Sequence, residues 1–144
     1  MIIKLLPEQI PTYWEHIKFA LIKTMMIEPK SVERYLINVL SYLLSNKYQC
    51  WIVLSEDRHI QWVLITRIFI GLGGESYLFI ETLYGYSPIS VQTKEAGMKI
   101  MKEFAKEAKC SYVLCVPISP LAVKVCQQIN MEEKAKIYMS KVGD

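Results

Sequence analysis

The chain has 144 residues, of which 52% are hydrophobic and 22% charged, and its formal net charge is +3. This length suits a single globular domain, residues 1–144, that buries about 70% of its unfolded surface. The small net charge argues against a nucleic-acid groove. The sequence does not open with a signal-peptide pattern, and no apolar run approaches the roughly 20 residues of a spanning helix. We therefore expect a soluble, cytoplasmic protein without membrane association.

The cysteines and histidines do not form a metal-binding pattern. No Cys-x-x-Cys pair with a second pair downstream occurs, and His16 and His59 belong to different predicted elements. We expect no metal site. The cysteines lie in or beside apolar segments, as reduced core thiols do, and they are Cys50, Cys110, Cys115 and Cys126.

The first part of the chain predicts one strand and two helices. Residues 1–6 can form an edge strand. Pro11 opens a helix that Pro29 closes, and its apolar face consists of Trp14, Ile17, Leu21 and Met25. Ser31 is placed to cap a second helix, which residues 45–47 end.

From Tyr48 the hydrophobic period changes to that of strands. Three segments, residues 49–54, 59–70 and 77–86, are separated by a charged turn and by a glycine-rich turn. They predict a three-stranded antiparallel meander.

The remainder alternates helices and strands. Apolar residues spaced three and four apart predict a half-buried helix from Ala96 to Ala108, and a strand follows at 112–116. Ser119 caps a last helix that ends near Asn130, and residues 136–142 predict a final strand. The expected fold is α/β (α+β), with about six mostly antiparallel strands and helices on both faces. The order is β-α-α-β-β-β-α-β-α-β.

The junction between the strand at 77–86 and the following helix is the candidate site. Pro88 stops the strand, so the chain turns there and leads through a loop at 92–97 into the helix. A helix N-terminus presents free N–H groups and partial positive charge, which suit an anion such as a pyrophosphate. The alternative is an ordinary strand-to-helix connection.

This junction resembles the coenzyme A pyrophosphate loop of the GNAT superfamily of N-acetyltransferases, Gln-x-x-Gly-x-Gly. Gln92 and Gly97 match its first and last positions, and Ala96 stands at its free position. Glu95 replaces the first glycine and brings a negative charge towards the expected phosphates. The resemblance implies acetyl-CoA as the cofactor. The cofactor-binding residues that it implies are Gln92, Thr93, Lys94, Ala96 and Gly97.

A second motif extends the resemblance along the chain. The family's Asn-Pro-x-Ala segment is similar to the one that begins at Ser119 and reaches Ala122, and Cys126 stands where the family often has a proton-donating tyrosine. The chain is also similar to small acetyltransferase-like proteins encoded by bacteriophages.

The transfer of an acyl group from a thioester to an amine needs a base, a polarised carbonyl and a proton for the thiolate. Glu81 is the candidate base, although it can also be an outward-facing strand residue. The candidate acids are Tyr84, Tyr86 and Tyr138, although tyrosines at strand ends are commonly part of the core.

Two functions therefore remain open. The first is an acyl-CoA-dependent N-acetyltransferase that acts on a small or protein amine. The second is a catalytically inactive GNAT-fold module with a structural or interaction role, bound to a protein partner or to a phage particle.

Overall fold

The computed structural model describes residues 1–143. One sheet has the strand order β1-β2-β3-β4-β5, and its neighbours are antiparallel except for β4 and β5, which are parallel. Its strands are β1 (Ile2–Lys4), β2 (Tyr48–Leu54), β3 (Ile60–Ile70), β4 (Ser76–Gly85) and β5 (Tyr112–Cys115). The helices are α1 (Ile10–Lys23), which follows a short 3-10 turn (Pro7–Gln9), α2 (Val32–Leu44), α3 (Val91–Glu107) and α4 (Pro120–Gln128).

Helices cover both faces of the sheet. On one face, α1 and α2 pack buried residues such as Ile17 and Leu43 against Ile52 and Val63. On the other face, α3 packs against β4, and α4 packs against the middle of the sheet. None of the helices within residues 1–143 is both long and apolar enough to cross a bilayer. The mixed, mostly antiparallel sheet with helices on both faces confirms the predicted fold class.

Side-chain caps define several helix ends where the sequence predicted them. The Ser31 hydroxyl accepts a hydrogen bond from the Arg34 N–H at 3.1 Å, and the Ser119 hydroxyl accepts one from the Ala122 N–H at 3.1 Å. Asn130 leaves α4 with a φ of 60°, in the left-handed region. The first helix is shorter than predicted, because α1 ends at Lys23 and leaves Met25 beyond it.

The predicted last strand, 136–142, is wrong, and the sheet has five strands rather than about six. This segment forms no strand, and Ile137, Tyr138 and Met139 are exposed. A strand in a sheet covered on both faces buries consecutive apolar side chains, as β2 does, whereas this segment is not covered by any helix and gains no such burial. The outer edge of β5 consequently has no neighbouring strand among residues 1–143.

A buried polar chain ties β2 to β3. The Thr66 hydroxyl accepts a hydrogen bond from the Trp51 indole N–H at 3.0 Å and donates one to Gln49 Oε1 at 2.9 Å. All three residues are buried. A buried donor or acceptor without a partner costs about 1–3 kcal/mol, so Thr66 satisfies two groups at once.

We expect Thr66→Val to lower the free energy of unfolding by about 2–4 kcal/mol, since it leaves both the indole N–H and the amide oxygen unpaired. Urea denaturation followed by fluorescence measures the change. Thr12→Val, the same replacement on the exposed side of α1, is the control and should change stability by less than about 0.5 kcal/mol. Equal effects of the two variants would contradict a role for the buried chain.

Candidate active site

A cleft opens where β4 and β5 part. The two strands pair only from Tyr77 to Ile80 and from Tyr112 to Cys115. Beyond them Pro117 cannot donate a ladder hydrogen bond, and the chain turns into α4. The resulting cavity has a volume of about 480 Å³, which lies in the usual range of small-molecule sites. Its lining residues are Lys23, Thr24, Met25, Trp62, Ile80, Glu81, Leu83, Tyr84, Gly85, Cys115, Val116, Pro117, Ile118, Ser119, Leu121 and Ala122.

Glu81 stands at a β-bulge beside this cleft. Ile65 pairs with Thr82 and Thr66 with Ile80, so Glu81 is the extra residue with no partner opposite it. Bulges re-aim side chains and are frequent next to active sites. The Glu81 side chain is 33% exposed, and its Oε1 contacts the Nε of Arg67 in a salt bridge. Glu81 therefore lies between a cation and the cleft.

Two tyrosines, one on α2 and one on β2, lie within electrostatic reach of the Glu81 carboxylate. Burial raises the pKa of Tyr35 and of Tyr48, and the negative charge of Glu81 raises both further. Both hydroxyls therefore stay protonated at neutral pH. Sequence reasoning missed these tyrosines and Arg67. A signal for Arg67 was present, because it is the only charged residue in the sequence of β3, IQWVLITRIFI.

The three candidate tyrosines occupy different environments. Tyr84 lines the cleft, and its ring packs edge-on against Phe19 at a centroid distance of 5.8 Å. Tyr86 donates its hydroxyl hydrogen to the His16 carbonyl at 2.6 Å, which ties β4 to α1. Tyr138 is 88% exposed and is not part of the cleft lining. The structure thus brings Tyr84 and Glu81 together and leaves Tyr138 outside.

The helix after β4 begins earlier than predicted. Ser90 is its N-cap, with the Ser90 hydroxyl accepting a hydrogen bond from the Thr93 N–H at 3.1 Å, and α3 starts at Val91. The predicted loop at 92–97 is therefore wrong: these residues form the first turns of α3. Gln, Lys, Glu and Ala are all good helix formers, which explains the extension. The N–H groups of Val91 and Gln92, in the first turn, have no intrahelical acceptor.

The other residues of the predicted loop face different surroundings. Lys94 donates a hydrogen bond from Nζ to Gln128 Oε1 at 2.8 Å, which links α3 to α4. Glu95 lines a shallow groove beside Lys99 and Lys102 and is not part of the cleft lining. A Cβ at Gly97 would meet only Ile2 Cδ1, at 3.6 Å, so this glycine faces β1.

A second glycine, which sequence reasoning did not single out, shapes the cleft wall. Gly85 pairs with Trp62, and a Cβ on Gly85 would lie 2.7 Å from the indole ring. The ring is fixed by a hydrogen bond from its N–H to the Ser87 carbonyl at 2.8 Å. The absence of a side chain at Gly85 therefore lets Trp62 lie across the end of β4.

The two glycines should respond oppositely to alanine. Gly85→Ala should destabilise the fold by about 1–3 kcal/mol, because the new methyl group overlaps the fixed indole. Gly97→Ala should stabilise it by about 0.5–1 kcal/mol, because alanine is the better helix former and meets only an ordinary contact. Chemical denaturation measures both. Destabilisation by Gly97→Ala would contradict the placement of this residue within α3.

Two thiols meet beside the cleft. Cys115 lines it, and Cys126 lies beside it on α4; the neighbouring Cys115 thiol lowers the pKa of Cys126 to about 7, and Cys126 in turn raises the pKa of Cys115. Burial raises the pKa of Cys50 to about 12. All four cysteines are free thiols. Among residues 1–143, no three His, Cys, Asp or Glu side chains are grouped so that they could hold a metal ion.

Cys126 should react with iodoacetamide faster as the pH rises through about 7, because the thiolate is the nucleophile. Cys115→Ala removes the neighbouring thiol, and the midpoint should then move upward towards the ordinary range of a thiol. Peptide mass spectrometry gives the rate for each cysteine. Cys50 is the internal control and should remain unmodified until the protein unfolds. An unchanged midpoint in Cys115→Ala would contradict the pairing.

Comparison with known proteins gives structural matches alone. No protein-family model and no curated protein matches the sequence. A probable acetyltransferase has a TM-score of 0.72 at 12% identity, over 100% of this chain and 99% of that one. A predicted acetyltransferase with acetyl-CoA from Clostridium acetobutylicum has a TM-score of 0.67 at 17% identity, over 98% and 95%.

A third structure, an aminoglycoside acetyltransferase from an uncultured soil metagenomic sample in complex with sisomicin, has a TM-score of 0.68 at 13% identity, over 100% of this chain and 96% of that one. At these identities the likeness is one of fold. The chain has the fold of the GNAT acetyltransferases.

Proposed function

We propose that this chain, with its GNAT fold, is an acyl-CoA-dependent N-acetyltransferase that transfers an acetyl group from acetyl-CoA to an amine. The observation that carries the proposal is the cleft between the parted ends of β4 and β5, with Glu81 re-aimed beside it by a bulge. A carboxylate next to an open, partly apolar cavity is suited to deprotonating a bound amine.

The cleft fits the extended arm of an acyl-CoA. Beyond Ile80 and Cys115 the facing backbones of β4 and β5 no longer pair with each other. Their N–H and C=O groups need other partners, and an amide-containing chain inserted between the strands supplies them. The cavity of about 480 Å³ is open enough to admit such a chain.

The pyrophosphate would lie at the start of α3. The N–H groups of Val91 and Gln92 are free in the first turn. Thr93 and Lys94 follow in sequence, and Lys94 would have to leave Gln128 to reach a phosphate. Ala96 and Gly97 lie one turn later, where their N–H groups already belong to the helix ladder. They therefore offer no free donors, and Gly97 faces β1 rather than the start of the helix.

The residues divide the reaction between them. The thioester supplies the activated acyl group. Glu81 accepts the proton of the attacking amine, and a backbone N–H at the bulge, freed from the ladder, donates to the carbonyl oxygen as negative charge develops on it. Tyr84 is the nearest candidate to return a proton to the departing thiolate. Tyr138 takes part only if the segment after α4 that carries it moves towards the cleft.

The second function, a catalytically inactive GNAT-fold module, is favoured by a different observation. The outer edge of β5 has no neighbouring strand within the described part of the chain, and the following tail exposes Ile137, Tyr138 and Met139. Unpaired edges and exposed apolar side chains are common features of protein-binding surfaces. In that case a protein partner, rather than a small amine, would occupy this side of the molecule.

Calorimetry with acetyl-CoA tests the enzyme proposal. We expect micromolar affinity, about −8 kcal/mol. Glu95→Gln should change it by less than about twofold, because Glu95 lies in the groove with Lys99 and not in the cleft. Glu81→Gln should bind acetyl-CoA normally but lower the transfer rate to an accepted amine by about 10²–10⁴-fold. Thiol release on a panel of primary amines measures that rate.

The result that would overturn the proposal is equally direct. If the wild-type protein shows no heat of binding near millimolar acetyl-CoA, a regime of about −4 kcal/mol, the chain does not use this cofactor. Co-purification would then be the way to identify a protein partner.

A further inference from the structure

We propose that Arg67 is a positioning residue, which holds the carboxylate of Glu81 at the bulge so that its second oxygen is directed to the cleft. This inference rests on the proposed transferase function. Arg67 itself is not part of the cleft lining, whereas Glu81 is. The contact that joins them runs from the Nε of Arg67 to Oε1 of Glu81.

The guanidinium of Arg67 is held in place by its neighbours on the sheet. Its central carbon lies 5.6 Å from the ring centroid of Phe69 and 5.2 Å from that of Phe79. Phe79 is its cross-strand partner on β4, and Tyr48 is its partner on β2. A planar guanidinium against aromatic faces loses little further freedom when it binds a carboxylate. Arg67 is therefore a fixed support rather than a mobile surface charge.

Glu81 needs such a support because, at the bulge, it has no cross-strand partner on β3 to hold it in place. A residue opposite no partner has a less constrained backbone, and its side chain is one-third exposed. Its negative charge reaches Tyr48 on β2 and Tyr35 on α2, and Arg67 on β3 lies against it. Lys23 from the end of α1 and Tyr84 from β4 line the same cleft. Of these, Arg67 contacts the carboxylate in a salt bridge.

We expect the loss of Arg67 to lower the turnover rate without changing cofactor binding. Removing Arg67 leaves the cleft walls and the start of α3 intact, so the affinity for acetyl-CoA should not change. The carboxylate then samples other orientations, and misplacement of a reacting group by about 1 Å costs up to about 100-fold in rate. A purely structural ion pair would instead change stability and leave kcat unaltered.

The experiment compares Arg67→Met, Arg67→Lys and Glu81→Gln with the wild-type protein, using Arg34→Met on the exposed side of α2 as the control. The probes are acetyl-CoA with spermidine, sisomicin and a peptide with a free N-terminus. We expect Arg67→Met to lower kcat about 10- to 100-fold with the KM for acetyl-CoA within twofold. Arg67→Lys should recover part of the loss, and Arg34→Met should match the wild type.

A second measurement does not depend on activity. In ¹H–¹⁵N spectra of the arginine side chains, the Nε–H of Arg67 should exchange with water more slowly than that of Arg34, and Glu81→Gln should abolish this protection. Fast exchange in the wild-type protein, or no response to Glu81→Gln, overturns the positioning role whatever the assay shows. Unchanged kcat in Arg67→Met, with acetyl-CoA still bound, also overturns it.

Failure of the proposed function has a different signature. A wild-type protein that binds no acetyl-CoA but retains the protected Nε–H would show that the pair exists as a structural ion pair only. That result removes both the transferase function and the positioning role of Arg67. Thermal unfolding of each variant confirms that the comparison is made between folded proteins.

Discussion

The parallel pairing of β4 with β5 stops after four residues, from Tyr112 to Cys115 on the β5 side, and the candidate site depends on that stop. A longer ladder would close the sheet and leave no cavity. Pro117 and the immediate start of α4 prevent the longer ladder, because proline lacks the donor and the helix carries the chain away. The end of α1 and the start of α4 then provide the side walls.

The bulge at Glu81 determines which side chains reach this opening. Ile80 and Leu83 both pack on the side of α3, although an unbroken strand would send them to opposite faces. The inserted residue reverses the alternation, so that Tyr84 packs with the cluster of α1 and α2. One extra residue therefore places the Glu81 carboxylate and the Tyr84 phenol in the lining of the same cleft.

The sequence predicted the order of elements well because its apolar residues recur clearly, every 3.6 residues in the helices and every second residue in much of the strands. Ser31 and Ser119 were predicted as caps because each is a hydroxyl residue that stands just before an apolar helical stripe. The last strand failed because Ile137, Tyr138 and Met139 give the composition of a strand, whereas strand formation also needs a neighbouring strand and a covering layer, which the sequence does not show.

The candidate site was less predictable. Neighbouring residues in the sequence do not reveal the bulge at Glu81 or the pairing of Glu81 with Arg67, because each depends on the register between two strands. Gly85 looks like an ordinary turn glycine until Trp62 is seen against it. The start of α3 lies earlier than the resemblance to a glycine loop implies, because Ser90 caps the helix and residues 92–97 contain a single glycine among good helix formers.

The sheet also has a consequence for the order in which the molecule folds. The β2–β3 and β3–β4 pairings join strands that are adjacent in sequence, whereas β1–β2 and β4–β5 join segments separated by whole helices. Local hairpins close with little loss of chain entropy, and distant pairings are slower. We expect the central meander to form early and β5 to dock only after α3 has packed. The cleft would then be among the last parts of the molecule to form during synthesis.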